Sequence, residues 1–281
     1  MEKLPKKRRI SLTQREDFLY KLVKVGMANP TNLYLKNYQN YKHSIYQSAK
    51  VLDALKQDGL AQVVGIYSDT SIPIHKQFFA PTRKGARSID LEDEYKYVGL
   101  KSGDSVQHES SSRDIAIAFL DLFPRPDWNV RVEFNKDICG VNTDIIVRVD
   151  HYLTNNFFSF VLETEIKSDA QAVSRTVNKY IKVFNEIDFN EYNLSPKTKL
   201  LTVINNGNFF RPFKRPTQYS QLDVKKGIAM VDNLFKNVLK YGQDLDKNRY
   251  RFMPFYDFYQ LNQPVWSMPN GQKVSLIMTE N

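Results

Sequence analysis

Along this chain apolar residues recur first at helical spacing and then at strand spacing, and the order of those patterns sets the expected architecture. From Ser11 to about Lys24, Phe18, Leu19, Leu22 and Val23 fall on one helical face, with Ser11 or Thr13 as the cap and Gly26 as the stop. Asn29-Pro30 introduces a second short helix over Asn32 to Tyr38. A third helix is expected from Lys42 to Asp58, its stripe formed by Ile45, Ala49, Leu52, Ala54 and Leu55, and Gly59 ends it. Leu60 to Tyr67 then reads as a strand, Ser68 to Pro73 as a turn and Ile74 to Ala80 as a returning strand.

Three helices followed by a two-stranded hairpin is the plan of a winged helix-turn-helix domain, expected over residues 11–89. Leu55-Lys56-Gln57-Asp58-Gly59-Leu60 has the form of the end of its third helix, and Phe78 to Gly85, with Thr82-Arg83-Lys84-Gly85, the form of the exit from its wing. Residues 1–10, with Lys6-Lys7-Arg8-Arg9, form a basic arm, and 90–107, with acidic residues at Asp90 to Glu94, a linker.

The second domain is expected over 108–281. His108 to Leu122 reads as a helix ended by Pro124 and Pro126, Val130 to Phe134 as a strand, and Cys139-Gly140 as a turn. Asp144 to Val149 and Phe157 to Ile166 form the next two strands, joined by a hairpin loop. Ala170 to Ile187 is a helix with Val173, Val177, Tyr180, Ile181 and Phe184 on its buried side, and Lys199 to Asn205 is a further strand beside 157–166. An arginine-, phenylalanine- and proline-rich loop spans 207–220, a helix Lys225 to Tyr241, and short aromatic strands fall near Phe252 to Tyr259 and Lys273 to Met278. The fold class is therefore α+β, a winged helix followed by an α/β domain.

Charge sharpens this division. The formal net charge is +9, but residues 1–89 hold 16 Lys/Arg against 6 Asp/Glu, whereas 90–281 hold 24 against 25. A basic module in front of a neutral one points to a polyanion partner, double-stranded DNA above all. A basic surface kept for solubility, or a winged helix used for protein contacts, is the plainer alternative. In the DNA reading Lys42, His43, Ser44, Tyr46, Gln47 and Lys50 near the start of the third helix meet base edges or phosphates, with Lys76, Arg83 and Lys84 from the hairpin and Arg8 and Arg9 from the arm.

No run reaches the roughly 18–20 apolar residues of a membrane span, and no apolar segment follows the basic N-terminus as in a signal peptide. The single cysteine, Cys139, excludes an internal disulfide. A cytoplasmic location without membrane contact is expected. There is no nucleotide-binding glycine loop, His-Glu-x-x-His or cysteine pair to suggest other chemistry.

Chemistry concentrates in Asp144 and in Glu163-Thr164-Glu165-Ile166-Lys167. Glu163 and Glu165 are two apart and project from one face of a strand. Asp144, from the preceding strand, is expected beside them, with Glu133 as a further carboxylate. Converging carboxylates repel unless a cation or proton intervenes, and Mg2+ or Mn2+ held by Asp144, Glu163 and Glu165 is the expected cofactor of a catalytic cluster. Lys167 would neutralise developing phosphoryl charge. The alternation of Leu162, Thr164 and Ile166 with Glu163, Glu165 and Lys167 also fits a strand with one solvated face.

In order, these segments resemble the plasmid replication-relaxation (mobilisation accessory) family, which joins a winged helix to a domain similar to the PD-(D/E)xK restriction-endonuclease-like fold. Thr143-Asp144 stands where that family has Pro-Asp, Val161-Leu162-Glu163-Thr164-Glu165 where it has Leu-Glu-x-Asp, Lys179-Tyr180 at its Lys/Arg-x-Tyr, and His108 and Arg113 at the segment leading into the second domain. The resemblance covers about residues 10–205. The chain departs from it in lacking the proline, in carrying Glu165 for aspartate, and in having Lys167-Ser168-Asp169 for Arg-Gly-Thr. It implies DNA binding on a plasmid or other mobile element, in replication, relaxation or mobilisation, with a relaxase or replication protein or a second copy of the chain as partner. Three functions follow: a DNA-binding protein whose second domain is a scaffold or metal-dependent nuclease, a site-specific endonuclease, and a transcriptional regulator whose second domain is a catalytically inactive dimerisation or sensor module.

Overall fold

The computed structural model describes residues 13–30, 32–33, 45–67, 76–100, 105–154, 157–165, 170–204, 229, 232–240, 245–254, 261 and 263–276. The chain begins with α1 (Gln14–Val25), which Thr13 caps in a reciprocal box with Glu16. The Thr13 N–H donates to the Glu16 carboxylate at 2.8 Å, so two otherwise orphaned groups at the helix start are satisfied. Gly26 ends the helix at φ +78°, a conformation glycine adopts without strain.

Helix α2 (Ile45–Gln57) follows, then the antiparallel strands β1 (Ala61–Tyr67) and β2 (Lys76–Pro81). Ala28, just after α1, joins β2 as an isolated bridge, and it and Phe79 exchange two backbone hydrogen bonds of 2.9 Å. The hairpin is thereby tied to the first helix as well as to itself. A short helix α3 (Arg83–Arg87), not evident in the hydrophobic pattern, leaves the hairpin. Thr82 serves two elements at once: its hydroxyl accepts from the Gly85 N–H at 3.0 Å and donates to the Gly59 carbonyl at 2.7 Å. Gly85 lies against Leu60, whose carbonyl oxygen a Cβ at position 85 would overlap.

A 3-10 turn (Glu92–Glu94) lies within the segment expected as a linker, and α4 (Ser105–Leu122) starts earlier than the expected His108. The sheet strands are β3 (Trp128–Ile138), β4 (Val141–His151), β5 (Phe157–Glu165), β6 (Lys199–Ile204), β7 (Tyr250–Pro254), β8 (Trp266–Ser267) and β9 (Lys273–Val274), with α5 (Ala170–Glu186) between β5 and β6. They run in sequence order across one mixed sheet, β3-β4-β5-β6-β7-β8-β9. β3, β4 and β5 are antiparallel, β5, β6 and β7 parallel, and β8 and β9 antiparallel again. β3 reaches beyond the expected Phe134 because Cys139 and Gly140, at φ +51° and +80°, form a two-residue turn that lets β3 and β4 pair to Ile138 and Val141.

Strand alternation splits the sheet into two buried faces. Val147, Phe160, Leu162, Leu201 and Val203 face α4 and α1 in a core that also holds Phe18, Leu22, Leu52 and Phe79. Ile146, Val161, Leu200 and Ile204 face α5 and helical residues 232–240 through Val177, Tyr180, Phe184, Leu234 and Val238. The first core runs without a break from the N-terminal helices into the sheet. Lys21 on α1, 1% exposed, is held between Asp17 at 3.4 Å and Asp121 of α4 at 2.9 Å. Lys24 reaches both Glu94 and Asn129 of β3, and the Asn32 amide donates to Asp114 at 2.5 Å. The chain is thus a mixed α+β protein with N-terminal helices and a C-terminal mixed sheet. Among the described residues no helix is long and apolar enough to cross a membrane.

Candidate functional site

The carboxylates chosen from the sequence sit where β4 and β5 meet. The register pairs Ile145 with Leu162, and Asp144 and Glu163 are the next residues on from that pair. Asp144 is half-buried and its carboxylate accepts from the Thr164 backbone N–H at 2.7 Å. Glu163 is 8% exposed and accepts a hydrogen bond from the Tyr180 hydroxyl of α5. On its other side, Glu163 is paired in the parallel ladder with the buried Thr202 of β6. A buried carboxylate needs donors to replace water, and Tyr180 supplies one. The helical spacing of Val177, Tyr180 and Phe184 marked Tyr180 only as a core residue. Its hydroxyl was the signal that a polar partner lay beneath α5.

Glu165 continues the strand, its backbone paired with Ile204. Its side chain and Lys167 lie outside the described residues. Glu133 does not join the group: it is exposed, stands opposite Ile146, and lies 3.7 Å from Lys136. Among the described residues no group of three His, Cys, Asp or Glu side chains is placed to hold a metal ion. Asp144 and Glu163, each engaged by a donor, make a two-carboxylate hydrogen-bonded node, while the third ligand expected from the sequence, the Glu165 side chain, lies outside the described residues.

The positions chosen for DNA contact divide more widely. Helix α2 buries Ser48, Leu52 and Leu55 and exposes Gln47, Lys50, Asp53 and Lys56, so one of its faces is packed and the other polar. Tyr46 and Lys76 lie in α2 and β2, their side chains outside the described residues, as are Arg8, Arg9, Lys42, His43 and Ser44 altogether. Lys84 is turned back on the fold, its ammonium donating to the Asp58 carbonyl at the end of α2 at 2.9 Å. Arg83 lies 3.9 Å from Glu92 and over the Tyr95 ring. Arg87, which was not singled out, holds Glu92 with two bonds of 2.7 Å. That pairing lowers the Glu92 pKa and raises that of Arg87.

Compared with known proteins, the chain matches no family model, no curated protein and no solved structure.

Proposed function

We propose that this protein is a DNA-binding regulator in which the N-terminal helices and hairpin grip the duplex while the sheet domain serves as a catalytically silent scaffold for dimerisation or sensing. The observation that carries the reading is the polar face of α2, where Gln47 and Lys50 are exposed beside a hairpin clamped to both helices, within a segment holding 16 Lys/Arg against 6 Asp/Glu. α1, the Ala28 bridge to β2, α2 and the β1–β2 pair fit a winged helix, in which α2 would lie in the major groove and the hairpin along the backbone. Lys50 would neutralise a phosphate, and the Gln47 amide would pair with a base edge. The order α4-β3-β4-β5-α5-β6 fits a restriction-endonuclease-like core. Tyr180 on Glu163 and the Thr164 N–H on Asp144 favour a structural use of its carboxylates. The resemblance to the replication-relaxation family would place the protein on a plasmid or other mobile element, in the cytoplasm, with a relaxase or replication protein as partner.

A gel shift on plasmid fragments across a salt series tests the DNA half. Binding should weaken steeply with salt, and Lys50→Ala should reduce the slope of log affinity against log salt by about one. Absence of a shift with any duplex at low salt sinks the reading. The adjacency of Asp144 and Glu163 favours one second reading, a metal-dependent nuclease. Nicking of supercoiled DNA with Mn2+ that Glu163→Ala abolishes would establish it and remove the silent scaffold.

A further inference from the structure

At the end of the sheet remote from Asp144 and Glu163, the first residues of the parallel strands β6 and β7 gather positive charge. Lys199 opens β6, and the register of Leu200 with Tyr250 and of Leu201 with Arg251 sets Arg249 and Arg251 next to it. Lys197 lies two residues before Lys199, and the Leu200 N–H donates to the Arg249 carbonyl at 2.8 Å. The two arginines are fixed in place. The Arg249 guanidinium lies 5.6 Å from the Phe184 ring centre and 5.3 Å from that of Phe189. Arg251 is 7% exposed and donates to the Lys247 and Tyr250 carbonyls.

Among the described residues, compensation is thin. Asp246 is the carboxylate that reaches the group, 3.9 Å from Arg249 Nε, and it is half exposed. One buried Arg249 nitrogen, Nη1, has no hydrogen-bond partner among the described residues. Burial, and then repulsion from Arg251, Lys197 and Arg249, push the Lys199 pKa below its ordinary value. Cations set side by side by strand register, with Asp246 the carboxylate that reaches them among the described residues, lose energy to mutual repulsion that an incoming anion would relieve. Guanidinium groups already fixed in orientation lose little further freedom on binding a phosphate.

We propose that Lys197, Lys199, Arg249 and Arg251 form a phosphate-binding site on the sheet domain. The site goes beyond the grip of α2 on DNA and lies on separate elements. Its phosphate comes either from a duplex backbone passing the end of the sheet or from a free phosphorylated ligand.

The test uses the full chain with pyrophosphate, and separately with a short duplex of arbitrary sequence, both titrated by calorimetry at matched ionic strength. The wild type should bind pyrophosphate saturably and gain thermal stability from it. Lys199→Met and Arg249→Gln should each weaken that binding about tenfold or more. In phosphate-free buffer Lys199→Met should unfold at a temperature no lower than wild type, because it removes repulsion. A duplex affinity that falls in parallel, with a shallower salt slope, assigns the phosphate to DNA. An unchanged duplex affinity assigns it to a free ligand. If the variants at the half-buried Lys199 and Arg249 do not fold, the exposed Lys197→Gln decides, with a severalfold loss expected. Pyrophosphate that does not bind, that sodium chloride at equal ionic strength mimics, or that binds these variants as it binds wild type, overturns the site. Failure of the α2 reading appears instead as loss of gel shift with pyrophosphate binding intact.

Discussion

The Tyr180 hydroxyl donates to the Glu163 carboxylate, joining the middle of α5 to the middle of the sheet through a buried bond. Tyr180→Phe removes the donor and leaves the ring in place, so a buried carboxylate oxygen loses its partner. Unfolding free energy from urea titration should fall by about 1–3 kcal/mol. Glu163→Gln, which can still accept from Tyr180, should cost less than Tyr180→Phe. The reverse order would mean that the carboxylate charge, rather than the bond, supports the fold.

Gly85 packs its α-carbon against the Leu60 carbonyl. Gly85→Ala places a methyl group into that backbone, and the exit of the hairpin must separate from the end of α2. We expect a loss of about 1–3 kcal/mol or more, together with weaker duplex binding in a gel shift. Thr82→Ala, which removes the cap on Gly85 and the bond to Gly59, should cost about 1 kcal/mol. A neutral Gly85→Ala would show that α3 docks on α2 less closely than described.

Lys21 couples α1 to α4 through Asp17 and Asp121. Removing one member of a buried ion group strands the others, and Lys21→Ala should destabilise the protein by about 3–5 kcal/mol. Because the core is continuous across α1, α4 and the sheet, the loss should be felt throughout. Both tryptophans, Trp128 and Trp266, lie in the sheet. Their fluorescence should change with the same transition midpoint as the far-UV dichroism of the helices. Two separated transitions would show that the shared core does not enforce joint unfolding.

Two buried tyrosines predict how stability responds to alkali. Burial raises the Tyr250 pKa from 10.0 to about 12, and burial likewise raises that of Tyr20, against the opposing pull of Arg125. Between pH 10 and 12 the unfolded chain releases these protons while the folded chain keeps them. Their contribution is therefore full below pH 10 and is lost as pH rises through that window. The urea midpoint should fall across it, and Tyr250→Phe should flatten the decline. An unchanged slope in Tyr250→Phe would place the proton loss elsewhere.

How much of this was legible beforehand differs between fold and site. The third helix, the hairpin, the strands around Asp144 and Glu163, α5 and β6 were all marked by apolar periodicity, because a face that must be buried repeats with the geometry of its element. Thr82-Arg83-Lys84-Gly85 was legible as a hairpin exit, although the pattern gave no sign of α3. Lys84 shows the limit: its residue type suggested phosphate, and the fold directs its ammonium to the Asp58 carbonyl. Likewise a segment expected as a linker carries Glu94, which reaches back to Lys24.

By itself the sequence determined the long helices and strands named above, their order, the two-residue spacing of Glu163 and Glu165 and the concentration of positive charge in the first third. Each is a property of neighbouring positions or of composition, and needs no knowledge of what lies across the core. Only the tertiary structure decided what each charge meets. Tyr180 lies 17 residues from Glu163, and Arg249 lies 50 residues from Lys199 along the chain. Pairings of that kind arise from strand register and helix docking, which bring together residues whose types say nothing of one another.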